Sequence, residues 1–451
     1  MKIGSIILAA GKGTRMNSNC PKVMNCILGK PLLSYVVDTS VYVTKNKPIV
    51  VIGYKSEKIK KYFGDKINYA EQKKQLGTGD AVKCCVNDIK NFEAVFIFCG
   101  DVPFITNKTL NEMIKKYIKF NSKACILTAK TKNNSGYGRI LKDSKNNFIK
   151  IIEEKDASKK EKKITEINSG IYLIDKNILI EVLKKIKKNN IKNEYYLTDI
   201  FEHIVKKNKI ITYCIKNNNE IMGINDKNNL IKAIKYMKEK INNYWIKKGV
   251  FIKNPDSVYI GSDVKIKKDV TIDFNVNLEG NTIIKDGVYI GPNSTIKNSI
   301  IGKETEVNYS IIFDSVVGKN CKIGPFAFLR PENIVKDNVK IGDFVELKKT
   351  KVDKNSKIPH HSYIGNAFIG KNVNIGAGSI TCNYDGNKKF NTIIKDNVFV
   401  GSNSNLIAPL LIENNSYIGA GSTIVKNVPK NSLAIERNIQ KNIKNWKKKE
   451  K

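Results

Sequence analysis

VYIGSDVKIKKDVTIDFNVNLEGNTIIKDGVYIGPNSTIK, residues 258–297, places an aliphatic side chain at every sixth position: Ile260, Ile266, Ile272, Leu278, Ile284, Ile290 and Ile296. A period of six fits neither a helix, at 3.6, nor a plain strand, at two. It is the hexapeptide signature of a parallel β-helix. Shortened steps carry the series to Ile301, Ile312 and Val317, then through Ile323, Leu329, Val335, Ile341, Leu347, Ile358, Ile364, Ile369 and Ile375. It resumes at Ile394, Val400, Leu406, Ile412, Ile418 and Ile424. Glycine often follows the repeat residue, as at Gly261, Gly291, Gly324, Gly342, Gly365, Gly376, Gly401 and Gly419, which predicts corners that exploit its freedom in φ. A purely structural solenoid would show the same period.

The break in the series, TCNYDGNKKFNT at residues 381–392, reads as a loop thrown out of the coil, where solenoids commonly build binding sites. After Pro429 the register is lost, and residues 429–451 read as a terminal arm. Upstream, Leu230, Ile234, Met237, Ile241 and Trp245 recur at spacings of three and four, an amphipathic linker helix over residues 226–249. The coil itself is expected over residues 250–428.

Residues 1–225 alternate short apolar runs (3–10, 49–52, 94–98, 124–128) with helical stretches (31–42, 109–120). That pattern predicts an α/β domain with a mostly parallel, doubly wound sheet and ligands beyond the C-terminal strand ends. The first run, IGSIILAA, ends in Gly11-Lys12-Gly13-Thr14-Arg15, a buried strand leading into a glycine-rich loop.

The formal net charge of +37 would suit a nucleic-acid binder. Here the lysines are dispersed among Asn and Ile in nearly every segment, a compositional drift and not a built patch, so no nucleic-acid partner is expected. Such a binder would retain DNA or RNA in a salt-sensitive way. Within this drift arginine is informative, since only Arg15, Arg139, Arg330 and Arg437 interrupt the lysines. A planar guanidinium is worth keeping where phosphate or carboxylate must be gripped bidentately. Nine irregularly spaced cysteines predict reduced, mostly structural thiols. No apolar run spans a bilayer and no cleavable signal opens the chain, so a cytoplasmic protein without stable membrane association is expected.

LAAGKGTRM followed by Pro21-Lys22 resembles the signature of sugar-1-phosphate nucleotidyltransferases. Further segments extend the resemblance to the bacterial bifunctional N-acetylglucosamine-1-phosphate uridyltransferase and glucosamine-1-phosphate acetyltransferase family. These are Gln72 and QLGTG at 75–79, GDVP at 100–103, GYGRI at 136–140, Glu153, INSG at 167–170, YYLTD at 195–199 and GIND at 223–226. The resemblance implies an N-terminal Rossmann-like domain and a left-handed β-helix. Arg15 and Lys22 would be catalytic. Nucleotide and sugar would meet Leu8, Ala9, Ala10, Gly11, Lys22, Gln72, Gly77, Thr78, Gly138, Glu153, Asn168 and Asn225, and Mg²⁺ would meet Asp101 and Asn225.

In the coil the resemblance implies His360 as base, with Arg330, Lys348, Tyr363, Asn374 and Lys389 holding the sugar phosphate. Ala377, Asn383, Tyr384, Ser402, Ala420 and Arg437 would hold acetyl-CoA. UTP and acetyl-CoA are the implied co-substrates, and a homotrimer the implied assembly. Chemically, glycines let backbone N–H groups approach phosphates, cations neutralise departing pyrophosphate, and an imidazole can accept the amine proton. His361 is a departure, and strand geometry allows only one of the two histidines to face the site. Asn366 departs too, standing where relatives commonly carry Asp. The competing reading is a nucleotidyltransferase whose coil only regulates or oligomerises.

Overall fold

The computed structural model describes residues 1–188, 193–444 and 446; residue 445 and residues 447–451 of the expected arm lie outside them. The chain divides into two compact units, Met1–Lys235 and Tyr236–Lys451.

In the first unit the central strand Ile3–Leu8 pairs in parallel with Ile49–Ile52 on one side and Ala94–Cys99 on the other. These runs are apolar on both faces because helices cover both, and their side chains are almost wholly buried. The sheet is mixed and not mostly parallel: the ten-residue strand Glu166–Asp175 runs antiparallel to Ala94–Cys99 and to Ala124–Lys130. A register shift between Asn168 and Tyr172, with Gly170 at φ +75°, kinks that strand beside Cys99.

In the second unit three parallel sheets of eleven, ten and nine short strands wind into a left-handed β-helix. Every repeat position read from the sequence is buried, and Val307 and Val352 fill the two gaps in the series. Thr381 takes the repeat position where the loop departs, and its hydroxyl accepts from Gly365 N–H at 2.7 Å. The coil also runs further than expected: Leu433–Ala434 pairs with Tyr417–Ile418 beyond Pro429. The helix Lys227–Lys247 sends Asn242 to the coil's first turn, where its amide donates to the carbonyls of Pro255 and Val258. No helix among the described residues is long and apolar enough to cross a membrane.

The glycine expectation needs correction. Of the eight named glycines only Gly324 has positive φ. Gly291, Gly342, Gly365, Gly376 and Gly401 are instead required by close approach: a Cβ on Gly342 would lie 1.8 Å from Pro359 O, and one on Gly401 2.5 Å from Ala420 N. One column of left-handed corners is taken by asparagine, which tolerates αL better than other residues with a Cβ, while other corners go to Gly280, Gly287, Gly378 and Gly421 or to residues such as Phe326 and Phe344. Asn338, Asn355, Asn372, Asn397, Asn415 and Asn431 have φ from 55° to 61°. They stack with each amide Nδ2 donating to the next Oδ1 at 3.0 to 3.2 Å. Asparagine in the coil is therefore placed and is not compositional drift.

Candidate active sites

The first strand ends in residues 9–13, which with Lys22, Gln72, Gly77, Thr78 and Asp101 line a cleft of about 880 Å³. Leu8, Ala9, Ala10 and Gly11 form its floor at the strand end. Gly13 is needed twice over, by its φ of +60° and because a Cβ there would lie 2.6 Å from Lys22 Cβ. Lys22 Nζ pairs with Asp101 Oδ2 and donates to Asn225 Oδ1 at 3.0 Å. Ile224 N–H donates to Asp101 O at 3.0 Å, drawing residues from three distant segments onto one ammonium.

Gly77 has φ +112° and lies against Tyr195, whose N–H donates to Leu76 O and whose carbonyl accepts from Gly79 N–H, each at 2.8 Å. Thr78 Oγ1 accepts from Leu197 N–H at 3.0 Å, so the 75–79 and 195–199 segments brace one another. Gln72 is nearly buried and spends both amide N–H bonds inside, on Gly77 O and Asp80 Oδ2. It braces the loop, and only its carbonyl is left over for a base edge.

Arg15 lines a neighbouring cleft of about 530 Å³ with Thr78, Glu153, Glu154 and Glu194. The two catalytic cations expected from the sequence thus border different clefts that meet at Thr78. Thr198 donates to Glu153 Oε1 at 3.1 Å. Asn168 lies deeper: its N–H donates to Gly138 O at 2.9 Å and its amide to Tyr172 Oη at 2.7 Å. Neither Gly138 nor Asn168 lines either cleft. Arg139 is buried and serves the chain itself, donating to Tyr137 O and pairing with Glu154 at 3.6 Å. Burial and the neighbouring Glu202, Glu153 and Asp156 push the Asp199 carboxyl up to about 6. Burial pushes the Cys99 thiol up to about 12, an inert group at neutral pH.

On the coil, register sorts the expected residues into columns. Strand pairing sets Asp343 against His360; counting on through Lys357↔Asn374, Ile375↔Val400 and Val400↔Ile418 puts Ala377, Ser402 and Ala420 in line with it on successive turns. His360 is therefore followed by a run of small side chains. At its end Arg437 Cδ comes within 3.7 Å of a Cβ built on Gly421.

A second column lies on the adjacent sheet, where Arg330 N–H donates to Leu347 O and Lys348 sits opposite Gly365. Strand register sets Arg330 beside Lys348 on the neighbouring turn, and Lys389 foremost, with desolvation, Arg330 and Lys349 in smaller part, holds the Lys348 ammonium below the usual lysine range. Lys389 arrives on the 381–392 loop, a small hairpin closed by the Tyr384↔Lys389 bridge. A Cβ at Gly365 would meet Tyr363 Oη at 2.5 Å and Asn383 Nδ2 at 2.9 Å, so that glycine keeps open the space those two residues share. Asn374 pairs with Lys357 on the sheet that carries His360.

The family models place these observations. A nucleotidyl transferase model matches residues 4–251, a bacterial transferase hexapeptide model residues 263–298 and 391–426, and a GlmU-like, C-terminal hexapeptide model residues 290–372. The chain is 46% identical over 442 residues to the bifunctional protein GlmU of Caldanaerobacter subterraneus, covering 98% of this chain and 97% of the relative. It is 43% identical to that of Clostridioides difficile, covering 99% and 97%, and 42% identical to that of Desulfitobacterium hafniense, covering 98% of each. The chain belongs to the bifunctional GlmU family.

Within this GlmU-family chain two polar side chains, Asp343 and Glu346, carry no motif signal, and Asn366, a departure in the sequence, gains a partner. Asp343 bonds His360, Glu346 Oε1 accepts from Arg330 Nη1 at 3.0 Å, and Asn366 Oδ1 accepts from Asn383 Nδ2 at 2.7 Å. Each partner lies 16 or 17 residues upstream or downstream, one turn of the coil. That spacing was the available signal. It also accounts for the Asn366 departure, since an Asp carboxylate would accept the same bond. His361 turns away at the corner, with φ 41° and its ring edge-on to Phe344.

Proposed function

We propose that the chain makes UDP-N-acetylglucosamine in two steps. The coil transfers acetyl from acetyl-CoA to glucosamine-1-phosphate, and the N-terminal cleft then transfers uridylyl from UTP to N-acetylglucosamine-1-phosphate. The observation that carries the reading is that the coil bearing His360 sets Arg330 beside Lys348 on adjacent turns and brings Lys389 to Lys348 on the 381–392 hairpin. A coil that only oligomerised would have no use for two lysines brought together beside an arginine that a single carboxylate, Glu346, already pairs. A sugar phosphate relieves that repulsion on binding.

In the acetyl step the cations take the phosphate and Tyr363 and Asn374 hold the sugar, while Asn383 faces the coenzyme. The small residues Ala377, Ser402 and Ala420 leave a trough for the coenzyme, with Tyr384 near its entrance and Arg437 toward its phosphates. His360 accepts the amine proton as the amide bond forms.

In the uridylyl step the loop after the first strand offers backbone N–H groups to the triphosphate, and the sugar-phosphate oxygen attacks the α-phosphorus in line as pyrophosphate leaves. Lys22 and Arg15 neutralise the departing charge. Asp101 and Asn225 would hold Mg²⁺: their oxygens already converge on one cationic nitrogen, and both are hard donors of the kind that ion takes alongside substrate phosphates. When bound, the ion supplies charge neutralisation at the phosphates. The same reading makes the protein a cytoplasmic homotrimer with coenzyme bound between adjacent coils.

The test pairs two assays on one preparation: thiol release from acetyl-CoA with glucosamine-1-phosphate, and pyrophosphate release from UTP with N-acetylglucosamine-1-phosphate. Arg15→Ala is expected to abolish the second and spare the first, and His360→Ala the reverse. Loss of both activities in either folded variant would overturn the two-site division.

A further inference from the structure

The imidazole of His360 is not free to choose its tautomer. Its Nδ1 lies 2.6 Å from Asp343 Oδ1, on the residue directly opposite in the parallel ladder. A carboxylate accepts and cannot donate, so Nδ1 carries the hydrogen and Nε2 is left with its lone pair outward.

Several features of the coil serve this contact. Lys340–Asp343 and Lys357–His360 are the only four-residue strands of the coil among the described residues; the rest have two or three. The ladder is lengthened until it includes both side chains. It can close there only because residue 342 is glycine, since a Cβ would overlap Pro359 O at 1.8 Å. The next residue locks the register, with His361 N–H donating to Asp343 O at 2.8 Å and its ring lying against Phe344. Ser362 Oγ donates to His360 O at 2.8 Å, fixing the backbone from the other side.

We propose that Asp343 is a positioning residue for acetyl transfer: it fixes His360 as the Nδ1–H tautomer and steadies the imidazolium formed during the reaction. This rests on the reading that the coil acetylates glucosamine-1-phosphate. The amine nitrogen forms its bond to the thioester carbon while one N–H proton passes to His360 Nε2. The C–S bond then breaks, and the departing thiolate takes that proton back, leaving amide, free thiol and neutral imidazole. Asp343 stays ionised throughout and touches neither substrate. The titratable groups on the flanking strands and corners are Asp343 and Lys340 before His360 and Lys357 and His361 beside it. Glu346 and Tyr363 follow on the adjacent sheet, while residues 374–378 on the next turn bring none.

The experiment compares wild type with Asp343→Asn and Asp343→Glu, measuring thiol release against glucosamine-1-phosphate concentration. Asparagine keeps the shape but can donate to Nδ1 and stabilise the wrong tautomer. The expected result is a fall in kcat of up to about 10⁴-fold, the cost of holding a general-base histidine in the wrong tautomer. The KM for glucosamine-1-phosphate should stay unchanged, and glutamate should restore part of kcat. Pyrophosphate release from UTP by the same variant checks that the chain is intact.

Unchanged kcat in Asp343→Asn, a loss expressed in KM alone, or no recovery of kcat in Asp343→Glu would overturn the proposal. Absence of thiol release from wild type would instead overturn the functional reading on which it rests.

Discussion

Replacing Asn372 by alanine removes the middle rung of the asparagine ladder. The residue sits at φ 55°, donates to Asn397 Oδ1 at 3.0 Å and accepts from Asn355 Nδ2 at 3.2 Å. Alanine in the left-handed region costs about 1.5 kcal/mol, and two exposed amide bonds contribute about 0.5 kcal/mol each, roughly 2.5 kcal/mol in all. Asn372→Gly loses the same bonds and adds about 0.5 kcal/mol of freedom in the opened chain, but escapes the backbone cost, so about 1.5 kcal/mol is lost. Stability in a solenoid is nearly local, so the loss should appear as easier opening of the neighbouring turns. Hydrogen exchange at Asn374 and Asn397, whose N–H groups donate to Val398 O and Lys371 O, reads that opening. At 1.4 kcal/mol per factor of ten, exchange there should quicken roughly 60-fold for alanine and about tenfold for glycine. Equal rates in the two variants, or rates like wild type in both, would refute the division into backbone and ladder contributions.

Gly13→Ala should cut pyrophosphate release by at least about 100-fold with acetyl transfer intact, because the added methyl must displace Lys22 and a 1 Å misplacement costs about that much. Lys348→Ala should raise KM for glucosamine-1-phosphate about tenfold, the worth of one charge-assisted phosphate bond, while relieving Lys389 of its neighbour. Asp199 is raised to about 6 when folded, so between about pH 4 and 6 the unfolded chain binds fewer protons and stability falls as pH rises. Asp199→Asn should flatten that dependence and stabilise the chain at pH 7 by about 1 kcal/mol after allowance for partial exposure, measured by denaturant unfolding at pH 4 and pH 7.

The period of six made the coil legible because each repeat position is buried for the same reason, and the structure buries all of them. What the spacing could not reveal was the role of the residues beside them. Glycine and asparagine both suggest corners, yet glycines such as Gly342 and Gly401 answer to backbone crowding, while the stacked asparagines answer to φ. Motif order carried the N-terminal residues into one neighbourhood, since Lys22, Asp101 and Asn225 meet across 79 and 203 residues. No periodicity could have joined them. The burial of Gln72 and Arg139 and their internal bonds were equally invisible, because a polar side chain's partner is a tertiary fact. Asp343, Glu346 and Asn366 were within reach of the sequence once the turn of 16 or 17 residues is used as a ruler.

The central claim is that one chain carries two separable transferase sites. Incubating the purified protein with acetyl-CoA, glucosamine-1-phosphate, UTP and Mg²⁺ while following thiol and pyrophosphate together tests it most directly. Both should appear together with UDP-N-acetylglucosamine, and His360→Ala should stop all three until N-acetylglucosamine-1-phosphate is supplied, when pyrophosphate returns. Pyrophosphate release without any thiol from the wild-type protein would contradict it.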